Sequence, residues 1–324
     1  MKTHKIYRVC LLFGVILLLT VFFTANAFPW GSATHAYIDD NLGKTRKLCN
    51  LNEIYGGMAA DIFNFYAETL NPSSPYSYLY LQTHFNSVEL WDKAQKLRFD
   101  RLGVASAFGF VSHDNYLLGA DYTAHGPDNV SGYVNPKALS LYLDPVLNEI
   151  FDNLSLPSDI ALSICHNIVE FAIDIRVVYE MGKNFKIGEK MIASAILRTP
   201  MFPLLLVKAY AKGLSDTFGM SRLEAAKMIN SAENEFRKTI IIYGQALIQR
   251  EQSDAVDSVA TLLASLAQEI YGITSPEGEP DDLIVDLIKY ALGAAMIICN
   301  DYQDEIEDTI TYVETQMGAA GIAY

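Results

Sequence analysis

Two pairs of metal-competent side chains at helical spacing constrain this chain more than any other feature. Asp121 and His125 stand four positions apart, as do His166 and Glu170. That step stacks both members of a pair on one face of an α-helix, where they reach a single ion. Imidazole nitrogen and carboxylate oxygen both bind zinc, at about 2.0–2.2 Å. A lone His beside a Glu on a helix is more often a packed or hydrogen-bonded histidine, so the distribution of the other histidines matters. Apart from His4, the chain has His35, His84, His113, His125 and His166, and none in the long stretch after His166. Histidines scattered for structural reasons would not avoid so long a stretch.

The surrounding pattern is helical throughout, with no alternating strand pattern of useful length and no internal repeat. Pro157-Ser158-Asp159 starts a helix expected to reach about Met181, along which His166, Glu170 and Asp174 recur at four-residue steps. Ile164, Ile168, Phe171 and Ile175 fill much of the rest of that helix. A polar stripe on so apolar a helix must face partners, because unpaired buried charge is costly. Asp174 has two readings, an acceptor that orients a ligand histidine or a surface salt bridge near Arg176. Ser221 and Glu224 have capping-box spacing and open a helix expected to run to about Arg250. Pro200 and Pro203 interrupt a helical region, and Thr274 to Asp282, rich in Pro, Gly and acid, reads as a loop. The acidic run Asp301, Asp304, Glu305, Glu307 and Asp308 reads as a solvated helix face. Tyr76, Tyr78 and Tyr80 line either a pocket or, more commonly for such residues, an aromatic core.

At the N-terminus, Lys2, Lys5 and Arg8 precede an apolar run from Val9 to Phe23, and Ala25-Asn26-Ala27 follows as a small-residue cleavage signal. Together these predict a secretory signal peptide over 1–27 and hence an exported protein, secreted or periplasmic. An uncleaved membrane anchor is the alternative, though the run is short of the roughly 20 apolar residues of a membrane helix. Of the remaining cysteines, Cys49, Cys165 and Cys299, two are free to pair in an oxidising compartment, but no disulfide framework is indicated. Cys165 diverges by about 100° from His166 on a helix and reads as a small buried apolar residue. Asn129 and Asn153 match the glycosylation pattern. The formal charge of −14, more acidic still once the basic leader is removed, gives no basic patch for tracking a polyanion.

The ordered set Trp30-Gly31, His35, Asp61, His84, His113, Asp121, His125, His166 and Glu170 resembles the zinc-dependent phospholipase C family. That family is similar in turn to the glycosylphosphatidylinositol-specific phospholipase D catalytic domain and to single-strand-specific nucleases of the P1 type. The resemblance covers roughly residues 30 to 175. It implies an all-α, multi-helix phospholipase C / P1 nuclease-like bundle, with a zinc-binding catalytic region over 28–181 and a helical region over 182–324 that completes or flanks it. By resemblance, Asp61, His84, His113 and Asp121 hold one zinc and His125, His166 and Glu170 a second. Asp121 bridges to a third, held by the amine and carbonyl of Trp30 together with His35. The resemblance thus implies two to three Zn2+, with Asp61 also orienting or deprotonating water and Asp121 catalytic as the bridge.

Two departures from the family pattern stand out. Seven residues separate His113 from Asp121, where the family usually has three. One added helical turn would keep Asp121 near the same face, displaced by about 40°. Asp114 is the competing ligand, although it would point about 100° away from His113 on a helix. Separately, cleavage after Ala27 leaves Phe28 rather than Trp30 as the first residue, so an amine ligand requires further trimming.

The expected activity is hydrolysis of a phosphodiester, with phospholipid favoured and nucleic acid disfavoured as substrate, and with transient contact to a membrane surface. A secreted nuclease or nucleotidase with the same metals, or a non-catalytic zinc-binding envelope protein, are the alternatives. Oligomeric state is not legible.

Overall fold

A computed structural model describes residues 30–43, 47–64, 66, 71–127, 131–182, 186–271 and 282–324, with only the backbone for 267–271. The expected leader 1–27, the acceptor Asn129 and most of the loop expected over Thr274 to Asp282 lie outside these residues. Among the described residues the fold is all-α, with fifteen α-helices and no strand.

The first nine helices are α1 (Ser32–Leu42), α2 (Leu48–Ala59), α3 (Pro75–Phe85), α4 (Val88–Lys96), α5 (Arg101–His113), α6 (Ala120–His125), α7 (Val134–Tyr142), α8 (Pro145–Asn153) and α9 (Ser158–Arg176). A 3-10 turn, Ala60–Phe63, extends α2, and a wide π turn, Val177–Met181, carries α9 on to the end expected from sequence. Six more follow: α10 (Lys186–Leu197), α11 (Met201–Phe218), α12 (Arg222–Leu247), α13 (Gln252–Tyr271), α14 (Asp282–Ile298) and α15 (Tyr302–Ala319).

Their starts are chemically marked. Ser74 accepts the Ser77 N–H at 3.0 Å ahead of Pro75, and Asp100 accepts the Gly103 N–H at 2.8 Å. At α12 both halves of the Ser221–Glu224 capping box form, which satisfies backbone donors that the first helical turn leaves unpaired. The prolines expected to break a helix lie where α10 gives way to α11, and the two axes meet at 78°.

Helices α2 and α5 pack closely because glycines meet at their crossing. A Cβ on Gly109 would lie 1.9 Å from the Glu53 carbonyl oxygen, and one on Gly56 would lie 2.0 Å from that of Ser106. This crossing brings the C-terminal ends of α2 and α5 together, and the candidate site grows from those ends. One hydrophobic cluster, from Trp30 to Ile322, joins the early helices to α11–α15. No single helix among the described residues is long and apolar enough to cross a membrane. Cys49, Cys165 and Cys299 are buried free thiols, so the disulfide allowed by the sequence is not formed.

Candidate metal centre

Six segments bring eight side chains to one buried region. His35 comes from α1, Asp61 from the 3-10 turn after α2, His84 from the last turn of α3 and His113 from the last position of α5. Helix α6 supplies Asp121 and His125, and α9 supplies His166 and Glu170. In the first group, His113 Nε2 lies 2.9 Å from Asp121 Oδ2 and 3.4 Å from Asp61 Oδ1. His84 Nε2 is 3.2 Å from Asp61 Oδ1, and His35 Nε2 is 3.1 Å from Asp121 Oδ1. In the second group, His166 Nε2 lies 2.7 Å from Glu170 Oε1 and 3.2 Å from His125 Nε2. Ligands of one tetrahedral zinc, each about 2.0–2.1 Å from the ion, stand about 3.3 Å apart. Asp121 and His125, four residues apart on α6, set the two groups side by side.

The rings are held by their far nitrogens. His84 Nδ1 donates to the Tyr80 carbonyl at 3.0 Å, and His113 Nδ1 to the Gly57 carbonyl at 2.8 Å. A carbonyl only accepts, so Nδ1 carries a proton and Nε2 is the nitrogen that each ring turns to the site. His166 Nδ1 faces Asn135 Oδ1 at 3.0 Å. The same Asn135 amide points its Nδ2 at the His125 carbonyl, 3.4 Å away, which fixes the oxygen toward His166. Such outer contacts orient metal-ligating histidines.

The donor set fits zinc. Buried polar atoms normally find partners; here Asp61 Oδ2 has none among the described residues, and His35 Nε2, His113 Nε2 and the Asp121 and Glu170 carboxylates meet other members of the two groups at 2.7–3.1 Å. Three buried acidic side chains and converging imidazole nitrogens make a cluster whose negative charge a dication would neutralise. The titration directions agree. Burial opposes charge on His113, but Asp121 and Asp61 outweigh it and hold the imidazole well above its ordinary range. Burial and the repulsion of His113 push His35 down. Burial, with Asp61, Asp121 and Asp174 nearby, drives Glu170 well above the usual carboxylate range.

Asp121 does not reach the site by the route its spacing suggested. Helix α5 ends at His113, and α6 starts afresh at Ala120 after a turn, so no continuous helix gains a turn between them. Asp114 is turned away from the site. One of its oxygens accepts the Ser87 hydroxyl and the other the Tyr116 N–H, both at 2.6 Å.

Asp174 follows neither of its two sequence readings. It is buried and caps α1 from across the fold, accepting the Ala33 and Thr34 N–H groups at 2.9 and 2.8 Å, the Thr34 hydroxyl at 2.8 Å and the Tyr243 hydroxyl at 2.9 Å. A Cβ on Gly31 would lie 2.5 Å from this carboxylate, so a glycine there lets the cap approach the helix that carries His35. Arg176 turns instead to Glu180 and to the Met296 and Cys299 carbonyls.

Trp30 is buried, its indole N–H on Thr123 Oγ1 at 3.3 Å and its ring stacked on Tyr133. That contact ties it to α6 between Asp121 and His125. Two asparagines were not singled out from the sequence. Asn135 is described above, and Asn64 donates to Asp61 Oδ1 at 2.7 Å. Asn64 lies one 3-10 turn beyond Asp61, and nothing in its local sequence marks it. Cys165, beside His166, is buried, and burial pushes its thiol up to about 12.

Comparison with family models, with curated proteins and with solved structures finds no match for this chain.

Proposed function

We propose that the two ligand groups hold two or three zinc ions and that the protein is an exported zinc-dependent phosphodiesterase, acting on phospholipid or a related phosphodiester. The observation that carries this reading is the convergence of buried carboxylate and imidazole atoms in two adjacent groups. His35, Asp61, His84, His113 and Asp121 would serve one or two ions, and His125, His166 and Glu170 another. When bound, zinc supplies Lewis acidity and a water acidified to near neutral pH.

The chain's own groups supply orientation. Despite its burial, Asp61 is held below the usual carboxylate range by His113 and His84, so it remains an anion that can accept a hydrogen bond from water and orient it. Asn64 fixes one of its oxygens and leaves Oδ2 for a ligand or a water. The Nδ1 anchors on His84, His113 and His166 keep those rings from rotating. None of the side chains brought together is a Lys or Arg, which favours a lipid phosphodiester over a long polyanion that needs backbone neutralisation.

Zinc-loaded protein assayed in parallel on phospholipid vesicles, bis-p-nitrophenyl phosphate and single-stranded DNA tests the proposal. Hydrolysis of the first two, abolished by chelation and restored by zinc, is expected. Activity confined to DNA would assign the same metals to a nuclease, and hydrolysis of none would exclude the enzymatic reading.

A further inference from the structure

The buried acids outside the two ligand groups have donors to meet them, with one exception. Asp174 and Asp114 take the donors described above, Glu233 meets Arg198 and the Tyr55 hydroxyl, and Glu53 accepts the Tyr324 hydroxyl at 2.5 Å. Asp39 is fully buried one turn after His35 on α1. Its Oδ2 has no hydrogen-bond partner among the described residues. Its Oδ1 lies 2.6 Å from Ser112 Oγ, and that same Oγ lies 2.6 Å from the Gly109 carbonyl oxygen.

These two contacts fix a proton. A serine hydroxyl carries one proton, and a carbonyl only accepts. Two contacts this short need two protons, and of the three oxygens only the Asp39 carboxyl can bring the second. Ser112 then donates to Gly109 and accepts from Asp39. A neutral carboxyl also suits its surroundings, because an ionised one would bury an anionic oxygen without a partner. Burial and the neighbouring Glu53 hold Asp39 well above the usual carboxylate range, in keeping with a retained proton.

Asp39 also joins the elements that build the first ligand group. It shares α1 with His35, and Ser112 immediately precedes His113 at the end of α5. On its other side it lies against Gly57 of α2, where a Cβ would stand 1.7 Å from Oδ2. The Gly57 carbonyl is the acceptor that holds His113 Nδ1. The His35 and His113 rings stack at 4.0 Å between centroids.

We propose that Asp39 is a positioning residue, a neutral carboxylic acid that donates to Ser112 and thereby sets His113 against His35 in the first ligand group. It touches neither ion nor substrate. Its effect on zinc rests on the proposed metal binding, whereas its proton does not.

The test uses full-length, zinc-loaded protein and four variants: Asp39→Asn, Asp39→Ala, Ser112→Ala and the double variant Asp39→Ala/Ser112→Ala. By chelator competition, Asp39→Ala and Ser112→Ala should each weaken zinc in the first group about 10- to 100-fold. The double variant should lose no more than the worse single one, since both remove the same contact. The ion held by His125, His166 and Glu170 should be unaffected. Asp39→Asn keeps a neutral donor and should bind zinc as wild type does. Infrared difference spectra should show a protonated-carboxyl band in wild type that Asp39→Asn lacks. Ser112→Ala and Asp39→Asn keep the test decisive if Asp39→Ala does not fold. Wild-type affinity in Ser112→Ala, additive losses in the double variant, or Asp39→Asn as impaired as Ser112→Ala would each overturn the positioning role. An unchanged carboxyl band in Asp39→Asn would overturn the neutral acid. If wild type binds no zinc, the metal reading and the effect on zinc both fall, and the infrared comparison, which needs no ion, still upholds or overturns the proton on Asp39.

Discussion

Asp121 and Asp114 are both buried acids a few residues from His113, and hydrogen bonding separates their roles. Asp114 turns its oxygens to Ser87 and Tyr116, whereas Asp121 turns both of its oxygens to the ligand imidazoles of His113 and His35. Asp121→Asn should therefore lower zinc content, while Asp114→Asn should keep zinc and cost stability, about 1–3 kcal/mol from the broken turn. Elemental analysis and denaturant melts of the two variants separate these effects, and greater zinc loss from Asp114→Asn would reverse the assignment. Asp174 offers a pH test. Burial outweighs four donors and lifts it to about 6, from an ordinary 3.8. The folded value exceeds the unfolded one, so its contribution to stability is complete below about pH 4 and is lost as pH rises through about 6. Relative to Asp174→Asn, which does not titrate, metal-free wild type should lose about 3 kcal/mol across that window. A stability difference that does not vary with pH would refute this.

At the scale of elements, the crossing of α2 and α5 decides whether Asp61 and His113 meet. Gly109→Ala places a methyl against the Glu53 carbonyl at 1.9 Å, and backbone cannot swing aside as a flexible side chain does. Overpacking of this kind costs about 1–3 kcal/mol. Because His113 is the last residue of α5, zinc affinity should fall together with the melting temperature. A thermal melt with and without zinc checks both, and an unchanged melt would show that the crossing relaxes freely. Local signals in the sequence made some of this visible. The His166–Glu170 pair, the Ser221–Glu224 box and the break near Pro200 are features of single segments, and each stands where its spacing indicated, whereas Asp121 and His125 share a helix but face different groups. The Asp174 cap on α1, the Asn135 hold on His166 and the restart of α6 depend on residues brought together from distant segments. Spacing read along one helix misplaced the last of these, because a turn rather than an extra helical turn fills the gap between His113 and Asp121.

At the scale of the molecule, the acidic chain buries a cluster of acidic and imidazole groups, so an ion bound there would couple to folding. Zinc that binds only the folded chain adds about 2.7 kcal/mol of stability at a free concentration 100 times its dissociation constant, and chelation should lower the melting temperature accordingly. An unshifted melt would mean that the cluster holds no ion. The central claim is that two adjacent groups, sharing α6, each hold zinc, and the zinc count per chain tests it most directly. Elemental analysis of protein purified under zinc-replete conditions should give two or three ions per chain, as the three candidate ligand sets allow. His166→Ala should remove one and leave the first group filled. One zinc or fewer in the wild-type protein would contradict the account.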